Sequence, residues 1–318
     1  MRNFAMLGKW HVHAPQYARE LNELSGCRVS KVWDPDAEVA GIWAAELGCE
    51  AASVDDILND PEIEGVVFGN ATNEHDALLL RACESGKAVF TEKVLSLTNE
   101  GAEAIREAVV RSHTRFAISF PHLCDPAIQY ALQVARAGTL GKLNYARFRK
   151  AHDGASGGWL PPHFFDPVAC GGGAMIDLGA HPMYLLPEFL GEPQRVQSAF
   201  TRVTGKAVED NAVSLITFEG GAIGVSETGF VSCGYPLTLE LGGTKGTLIA
   251  HDNRVQIATQ ETDKKMHEIA QLPERLPSPL TQWALAETPE DIPEGFGIDA
   301  AVRLTRTMVA AYASANQK

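Results

Sequence analysis

The architecture of the N-terminal half is visible in residues 4–34, which read FAMLGKWHVHAPQYARELNELSGCRVSKVWD. A short apolar run ends at Gly8, and a helical stretch with Pro15 in its first turn follows. A second apolar run then ends at Asp34. Near-continuous apolar strands on both sides of a helix are typical of a βαβ unit, in which the strands are parallel and buried.

This alternation of apolar runs and helical patterns continues to about residue 120. It predicts a doubly wound α/β domain of the Rossmann type, with ligands outside the carboxyl ends of the strands. From Val196 to about Ile257 the apolar runs are separated by glycine-rich turns, which predicts a mostly antiparallel open sheet. Residues 259–297 are predicted to be irregular. We therefore predict a doubly wound domain at 1–121 and an α+β domain at 122–318.

Composition excludes several classes of protein. The chain has 318 residues and a net charge of −13, which argues against a nucleic-acid or anionic-membrane partner. Its six cysteines are scattered without a C-x-x-C pair, which argues against a zinc or iron–sulfur cage and favours a reducing compartment. No apolar run is long enough for a signal peptide or a membrane span. We expect a cytoplasmic protein.

The loop after the first strand departs from the dinucleotide-binding pattern. G-x-G-x-x-G starting at Gly8 would place glycines where Trp10 and His13 stand. His11 and His13 also form an H-x-H pair, which metal-dependent hydrolases use at the end of a first strand. A third interpretation is that both histidines simply line the loop.

Two charged residues stand at predicted strand ends. A carboxylate at Asp34 can accept hydrogen bonds from the adenosine ribose and would repel a 2′-phosphate, so it favours NAD over NADP. Alternatively, Asp34 only forms an Asp-Pro turn. Lys93 follows another apolar run, where partial burial would lower its pKa and suit it to acid–base work. Alternatively, it is a surface lysine.

A glycine-rich segment, residues 171–181, reads GGGAMIDLGAH. The pattern predicts one helix from about Ala174 to Phe189, ended by Gly191. Asp177 and His181 would then lie on one helix face, where the carboxylate could fix the tautomer of the imidazole. An ordinary i,i+4 pair on a solvated face is the alternative.

Four stretches together resemble the Gfo/Idh/MocA oxidoreductase family, which includes inositol and glucose–fructose dehydrogenase-type enzymes. The family's Glu-Lys-Pro motif corresponds to Glu92-Lys93-Val94, and its Gly-Gly-x-x-x-Asp-x-x-x-His motif to the segment from Gly172 to His181. Its Thr-Pro-Asn-x-x-His motif is approximated by Ala71-Thr72-Asn73-Glu74-His75. The family's sheet-entry segment resembles Glu209-Asp210-Asn211-Ala212 leading into 218–222. The resemblance runs in order along nearly the whole chain.

The resemblance implies an NAD(P)-dependent oxidoreductase that transfers a hydride between nicotinamide and a carbinol carbon of a sugar, polyol or related hydroxy compound. It implies that Lys93 binds the reacting oxygen and assists proton movement, that His181 is the principal acid–base, and that Asp177 orients His181 or a substrate hydroxyl. It also implies a homo-oligomer, a dimer or tetramer, assembled through the C-terminal sheet. The expected cofactor is NAD rather than NADP.

The candidate site residues follow from these motifs and strand ends. For the cofactor they are Gly8, Trp10, His11, Val12, Asp34, Asn70, Thr72, Asn73, His75, Glu92 and Lys93. For the substrate they are Lys93, His122, Trp159, His163, Asp177 and His181. No residue is assigned to a metal.

Two departures from the family pattern keep alternatives open. Val94 replaces proline, and because a cis bond before a non-proline residue costs ~2.5–4 kcal/mol, we expect a trans peptide there. Trp10 and His13 in place of glycine leave room for a non-catalytic dinucleotide- or sugar-binding sensor. A metal-dependent hydrolase using His11 and His13 is the less favoured third function.

Overall fold

The structure is a computed structural model that describes residues 1–234, 237–251 and 253–316. The chain folds into two compact units. The first comprises Met1–Ser119 and Pro277–Thr305, and the second comprises Phe120–Leu276 and the residues from Arg306 on.

The first unit contains a six-stranded parallel sheet in the order β3-β2-β1-β4-β5-β6, which is the doubly wound order. Helices connect the strands. The elements are β1 (Arg2–Leu7), α1 (Ala14–Glu23), β2 (Cys27–Trp33), α2 (Ala37–Leu47), β3 (Glu50–Ala51), α3 (Val54–Asn59), β4 (Ile63–Phe68), α4 (His75–Glu84), β5 (Ala88–Thr91), α5 (Asn99–Ser112) and β6 (Phe116–Ile118).

Local signals define α2. The sequence predicts a helix near Ala37 to Leu47 that stops at Gly48, and the structure confirms it. The Asp36 carboxylate accepts hydrogen bonds from the amides of Glu38 and Val39, which caps the first turn. Gly48 ends the helix in the left-handed region at φ 66°, where a side chain would be strained. Both signals lie next to the helix in the sequence, so its limits could be predicted.

The segment Pro277–Thr305 joins the first unit, whereas the sequence analysis placed this unit at 1–121 alone. Within a region predicted to be irregular, Pro279–Leu285 forms helix α10. Its Trp283 is fully buried, with ring centroids 5.2 Å from Phe4 and 5.7 Å from Phe90. The prolines suggested irregularity, but Pro279 lies in the first turn of the helix, where proline is tolerated.

The second unit contains an eight-stranded sheet in the order β14-β13-β12-β11-β7-β10-β9-β8. Among the described strands, β7 and β10 pair in parallel and the other neighbours pair antiparallel. The predicted mostly antiparallel sheet is confirmed. The strands are β7 (Leu143–Ala151), β8 (Pro193–Thr201), β9 (Asn211–Phe218), β10 (Ile223–Gly229), β11 (Thr238–Gly243), β12 (Gly246–His251), β13 (Arg254–Thr259) and β14 (His267–Glu268).

Three of the helices of this unit pack on the sheet, with α9 on β7 and β10, α8 on β9 and β10, and α6 on β12. The helices are α6 (Pro126–Arg136), α7 (Pro167–Cys170), α8 (Ala174–Asp177) and α9 (Ala180–Leu190), together with α11 (Ile298–Ala315), which begins in the first unit. Within the described ranges, no helix is both long and apolar enough to cross a bilayer.

The single helix predicted from Ala174 to Phe189 is wrong, because a turn at Leu178 and Gly179 separates α8 from α9. The amide of Gly179 bonds the carbonyl of Ala174, five residues back, at 2.9 Å. A Cβ on Gly179 would lie 2.4 Å from the carbonyl oxygen of Met175, so only glycine allows this close approach. The predicted end of the second helix is confirmed, since Gly191 follows α9 at φ 83°.

Candidate active site

The loop after β1 is shaped by Gly8, which has φ 86°. A Cβ on Gly8 would lie 2.6 Å from the Cα of Asn70, so the loop approaches the end of β4 more closely than another residue would allow. The amide of His11 donates to the carbonyl of Gly69 at 2.8 Å. The first glycine of the motif is therefore required by backbone packing, although Trp10 and His13 occupy the other two glycine positions.

Asp34 lies at the carboxyl end of β2 and anchors that loop. Its Oδ2 accepts a hydrogen bond from the amide of Lys9 at 2.8 Å, and its Oδ1 accepts from the amide of Asp36 at 3.0 Å. The carboxylate thus forms the turn that the alternative interpretation expected. It also stands at the strand end where dinucleotide folds place the residue that bonds the ribose.

Asn70, at the end of β4, fits a site that binds a polar ligand. Its side chain is 2% exposed and its Nδ2 donates to the carbonyl of Ala71, but its Oδ1 has no hydrogen-bond partner within the described part of the chain. A buried acceptor left unsatisfied costs ~1–3 kcal/mol, which a donor on a bound molecule would recover. Two further cofactor candidates, Thr72 and the exposed Asn73, lie in the single 3₁₀ turn that follows Asn70.

His75 is buried beneath the segment that follows Lys93. Its Nδ1 donates to the carbonyls of Val94 at 3.0 Å and Leu95 at 3.3 Å, and burial lowers the pKa of the imidazole, which keeps it neutral. The Lys93–Val94 peptide is cis, so the expected trans peptide is wrong. Local preference could not foresee it, because the surroundings of this segment, including His75, come from a distant part of the chain.

Glu92 is a buried carboxylate at the centre of a polar cluster. Tyr17 donates its phenol to Oε1, His13 Nδ1 lies 3.0 Å from the same oxygen, and the amide of Lys93 donates to Oε2 at 3.1 Å. Burial alone would raise the pKa of Glu92, but the charges of His11, His13 and Lys93 hold that pKa well below its usual range. The carboxylate is therefore ionised, and it holds the backbone of Lys93, which is itself 6% exposed.

Tyr17 is a site residue that sequence reasoning missed. Burial and the neighbouring Glu92 raise the pKa of its phenol well above the usual value, so it remains a donor. Its oxygen also lies 2.7 Å from Ser119 Oγ. The available signal was its place on α1 one turn after His13, on the helix face that packs against the sheet.

In the second unit, His181 is buried near the start of α9 and is held by Tyr184. His181 Nδ1 lies 3.1 Å from the Tyr184 oxygen, which also accepts from the amide of His122 at 3.1 Å. Tyr184 in turn stacks on Phe120 with ring centroids 4.1 Å apart. Tyr184 was not singled out from the sequence. The available signal was its position three residues after His181, because residues three apart on a helix lie on the same face.

The structure brings His122 and His181 together. Their rings meet edge to face with centroids 4.6 Å apart. His122 Nδ1 lies 2.5 Å from an oxygen of Asp125, which also pairs with Arg275. Burial would raise the pKa of Asp125, but His122 and Arg275 outweigh it and lower that pKa. An acidic residue therefore orients His122.

Asp177 ends α8, and its charge acts on His152, a residue that sequence reasoning missed. Burial lowers the pKa of His152 and the Asp177 carboxylate opposes that shift. The His152 ring stacks on Phe230 at 5.0 Å and lies 4.6 Å from the ring of Trp159. The available signal was a histidine directly after the end of β7.

The two remaining substrate candidates lie in the glycine- and aromatic-rich loop. Trp159 is 56% exposed and its indole donates to Asp153 at 2.9 Å. His163 is half-buried, with its ring centroid 5.0 Å from that of Phe164. An exposed tryptophan beside half-buried His152 can offer a flat apolar surface to a ligand.

The triple glycine serves backbone packing. A Cβ on Gly172 would lie 1.9 Å from the Tyr312 oxygen, and one on Gly173 would lie 2.0 Å from the carbonyl oxygen of Glu209. The Glu209 carboxylate accepts from the amides of Gly173 and Met175, both at 3.0 Å, and from Tyr312 at 2.5 Å. The glycines therefore let a buried glutamate hold the start of α8.

Comparison with known proteins agrees with both halves of the chain. Residues 2–120 match the model of the oxidoreductase family with an NAD-binding Rossmann fold, and residues 128–249 match the GFO/IDH/MocA C-terminal domain. The NAD(+)-dependent scyllo-inositol 2-dehydrogenase of Bacillus subtilis is 29% identical over 75% of this chain and 70% of its own length. Inositol 2-dehydrogenase of Rhizobium meliloti is 26% identical over 80% of this chain and 78% of its own.

Solved structures show the same fold. Levoglucosan dehydrogenase in complex with NADH and levoglucosan superposes with a TM-score of 0.82 at 20% identity, covering 99% of this chain and 97% of that one. GenD2 from gentamicin A biosynthesis, in complex with NAD, gives 0.82 at 22% identity, covering 99% and 94%.

The parallel sheet and the match to its family model define an oxidoreductase with an NAD-binding Rossmann domain. The chain belongs to the Gfo/Idh/MocA family, and the resemblance stated from its motifs is confirmed. The predicted fold class is confirmed as well, and the NAD-binding family model bears out NAD as the expected cofactor.

Proposed function

We propose that this oxidoreductase is an NAD-dependent dehydrogenase or reductase acting on a carbinol carbon of a sugar, polyol or related hydroxy compound. The observation that carries the proposal is Lys93. It is a buried lysine at the carboxyl edge of the parallel sheet, held through its backbone by the ionised Glu92. The names of the relatives, inositol dehydrogenases above all, support the substrate class.

In this proposal NAD, when bound, accepts or donates the hydride. The Lys93 ammonium binds the reacting oxygen and stabilises negative charge that develops there. His181 takes the hydroxyl proton in oxidation and returns it in reduction, and Asp177 orients His181 or a substrate hydroxyl. The contact of His181 with Tyr184 supports this assignment, because a hydrogen-bonded imidazole keeps a defined orientation.

The proposed roles extend to the other candidates. Gly8, Asp34 and Asn70 would hold the cofactor, as their packing favours, and so does the Asn70 oxygen, which has no hydrogen-bond partner among the residues described. His122, Trp159 and His163 would contact the substrate. The cofactor domain would comprise the predicted range 1–121 together with Pro277–Thr305, and the rest of the predicted range 122–318 would form the substrate and oligomerisation domain.

The test is a cofactor titration followed by a substrate screen. We expect NADH to quench tryptophan fluorescence with a Kd below about 100 µM, and NADPH to bind more weakly. In a panel of inositols, pyranoses and sugar acids, Lys93→Met should lower kcat/KM by ~10²–10⁴-fold, the range for lost acid–base assistance. The exposed Lys142→Met is the matched control and should change neither quantity.

A second candidate function is favoured by Trp10 and His13, which stand where the family pattern has glycine. A non-catalytic sensor would bind NADH with the same affinity in the wild type and in Lys93→Met, and would turn over no member of the panel. Failure of both nucleotides to bind would overturn the dehydrogenase and the dinucleotide-binding sensor, and would leave only a sugar-binding sensor.

We further propose a cytoplasmic homo-oligomer, a dimer or tetramer, assembled through the open face of the eight-stranded sheet. Large apolar side chains are exposed on this face, with Val213 39%, Leu215 48% and Ile223 45% accessible. Solvent-facing apolar residues on a sheet are typical of an interface. Leu215→Glu should lower the mass measured by light scattering, whereas Val110→Glu, equally apolar and 58% exposed in the first unit, should not.

A further inference from the structure

Three metal-ligating side chains converge in the first unit. His11 and His13 follow β1, and Glu92 follows β5, 79 residues further along the chain than His13. One ligating atom from each residue lies within 4.8 Å of the other two. His11 and Glu92 are buried, and the side chain of His13 is 40% exposed.

The spacing of these atoms suits a small divalent cation. Glu92 Oε1 lies 3.0 Å from His13 Nδ1 and 3.5 Å from His11 Nδ1. Two ligands of a tetrahedral Zn²⁺, each bonded at ~2.1 Å, stand about 3.4 Å apart. Glu92 therefore already stands near ligand spacing from both imidazoles, and the histidine nitrogens, which lie within 4.8 Å of each other, can reach the same cation by rotation of the rings.

Glu92 supplies the negative charge that a cation site needs. Its buried carboxylate oxygen lies 3.5 Å from His11 Nδ1 and 3.0 Å from His13 Nδ1. A cation bound among them would take this oxygen and one ring-nitrogen lone pair from each imidazole in its neutral form.

The groups behind Glu92 resemble the outer shell of a metal site. Tyr17 donates its phenol to Glu92, and Ser119 bonds the same phenol oxygen at 2.7 Å. Such contacts orient a ligating carboxylate, and their loss typically weakens metal binding by ~10–100-fold.

We infer that His11, His13 and Glu92 form a binding site for a divalent first-row transition metal, with Zn²⁺ as the expected occupant. Two imidazoles and one carboxylate are the protein ligands of several catalytic zinc and non-haem iron sites. The partial exposure of His13 leaves a fourth position open to water. Metal bound here ties the loop after β1 to the residue before Lys93. From the sequence, only the H-x-H pair suggested a metal, and no residue was assigned to one. The metal-site inference does not rest on the proposed function.

The test measures metal binding by the full-length protein without NAD or substrate. Protein stripped with a chelator is titrated with Zn²⁺ by calorimetry and with Co²⁺ by visible absorption, and thermal melting is recorded with and without metal. We expect one equivalent per chain, tetrahedral Co²⁺ bands, and a melting temperature that rises with metal concentration.

Four variants decide the outcome. Glu92→Gln and His13→Gln should weaken Zn²⁺ binding by ~100-fold or more, and Tyr17→Phe by ~10–100-fold. The exposed His267→Gln should bind as the wild type does. Because His13 is partly exposed, its variant remains informative if Glu92→Gln fails to fold. Binding that all variants retain, or no binding below about 100 µM, would overturn the site. A preference for Fe²⁺ or Mn²⁺ over Zn²⁺ would keep the site and correct its occupant.

Discussion

Trp283 holds the late segment 277–305 to the first unit, and its removal should destabilise the protein strongly. The Trp283 side chain is fully buried. A Cβ on Gly65 would come within 2.9 Å of its ring, so the surroundings are tightly packed. Trp→Ala substitutions in such cores cost ~3–5 kcal/mol. The indole also donates to the carbonyl of Arg115 at 3.1 Å, but that carbonyl keeps a second bond from the amide of Val89. Loss of the indole hydrogen bond therefore adds only ~1 kcal/mol or less.

The assay is urea unfolding of full-length protein followed by far-UV circular dichroism, with thermal melting in parallel. For a unit of about 150 residues, each kcal/mol lowers Tm by ~2–4 °C, so Trp283→Ala should melt roughly 6–20 °C below the wild type. Trp283→Phe should lie between the two. Trp159→Ala is the matched control, since Trp159 is 56% exposed and should cost less than about 1 kcal/mol. A Trp283→Ala protein as stable as Trp159→Ala would refute the reasoning.

Three further predictions concern the site. Tyr312→Phe removes the phenol that donates to the buried carboxylate of Glu209 and should lower the free energy of unfolding by ~1.5–3 kcal/mol in urea titrations. Burial lowers the pKa of His75. Below about pH 6.5 the unfolded chain therefore binds a proton at this imidazole that the folded chain does not bind, so the free energy of unfolding should fall as the pH drops. His75→Gln should lose this acid-side slope in unfolding curves measured from pH 5 to 8. Asp34→Ala should weaken NADH binding ~10–100-fold, measured by fluorescence, while NADPH affinity changes less.

Each of these has a result that would contradict it. Tyr130→Phe, at a half-buried tyrosine of α6, is the control for Tyr312→Phe. If both variants lost the same free energy of unfolding, the hydrogen bond from Tyr312 to Glu209 would contribute nothing to stability. A His75→Gln protein with the acid-side slope of the wild type would assign that slope to other groups. Asp36→Ala should remove the N-cap of α2 without changing NADH affinity. If Asp34→Ala and Asp36→Ala changed NADH affinity equally, Asp34 would act only in forming the turn.

Elements bounded by local signals could be predicted closely. α2 has an aspartate cap before it and a left-handed glycine after it, so its limits were correct to the residue. The parallel strands were recognisable because strands buried on both faces leave continuous apolar runs. α10 was missed because its prolines suggested irregular structure, and its burial depends on Phe4 and Phe90, nearly 200 residues or more away in sequence.

The site candidates named from the sequence stand in short motifs, whereas the residues that sequence reasoning missed depend on distant partners. Glu92-Lys93 and the Asp177–His181 pair stand in the sequence as recognisable patterns. Tyr184 and His152 carry no motif, and they became visible only through their contacts with His181 and Trp159. The helix break at Gly179 depends on the close approach of a glycine to the Met175 carbonyl, which periodicity does not record.

The sequence by itself determined the class of the protein, because apolar periodicity sets the parallel sheet and four motifs indicate the family. The tertiary structure alone decided which side chains meet. Glu92 comes next to His11 and His13 because β5 and β1 end at the same edge of the sheet, separated only by β4. The place of segment 277–305 has the same origin, since the contacts of Trp283 with Phe4 and Phe90 join residues that are far apart in sequence.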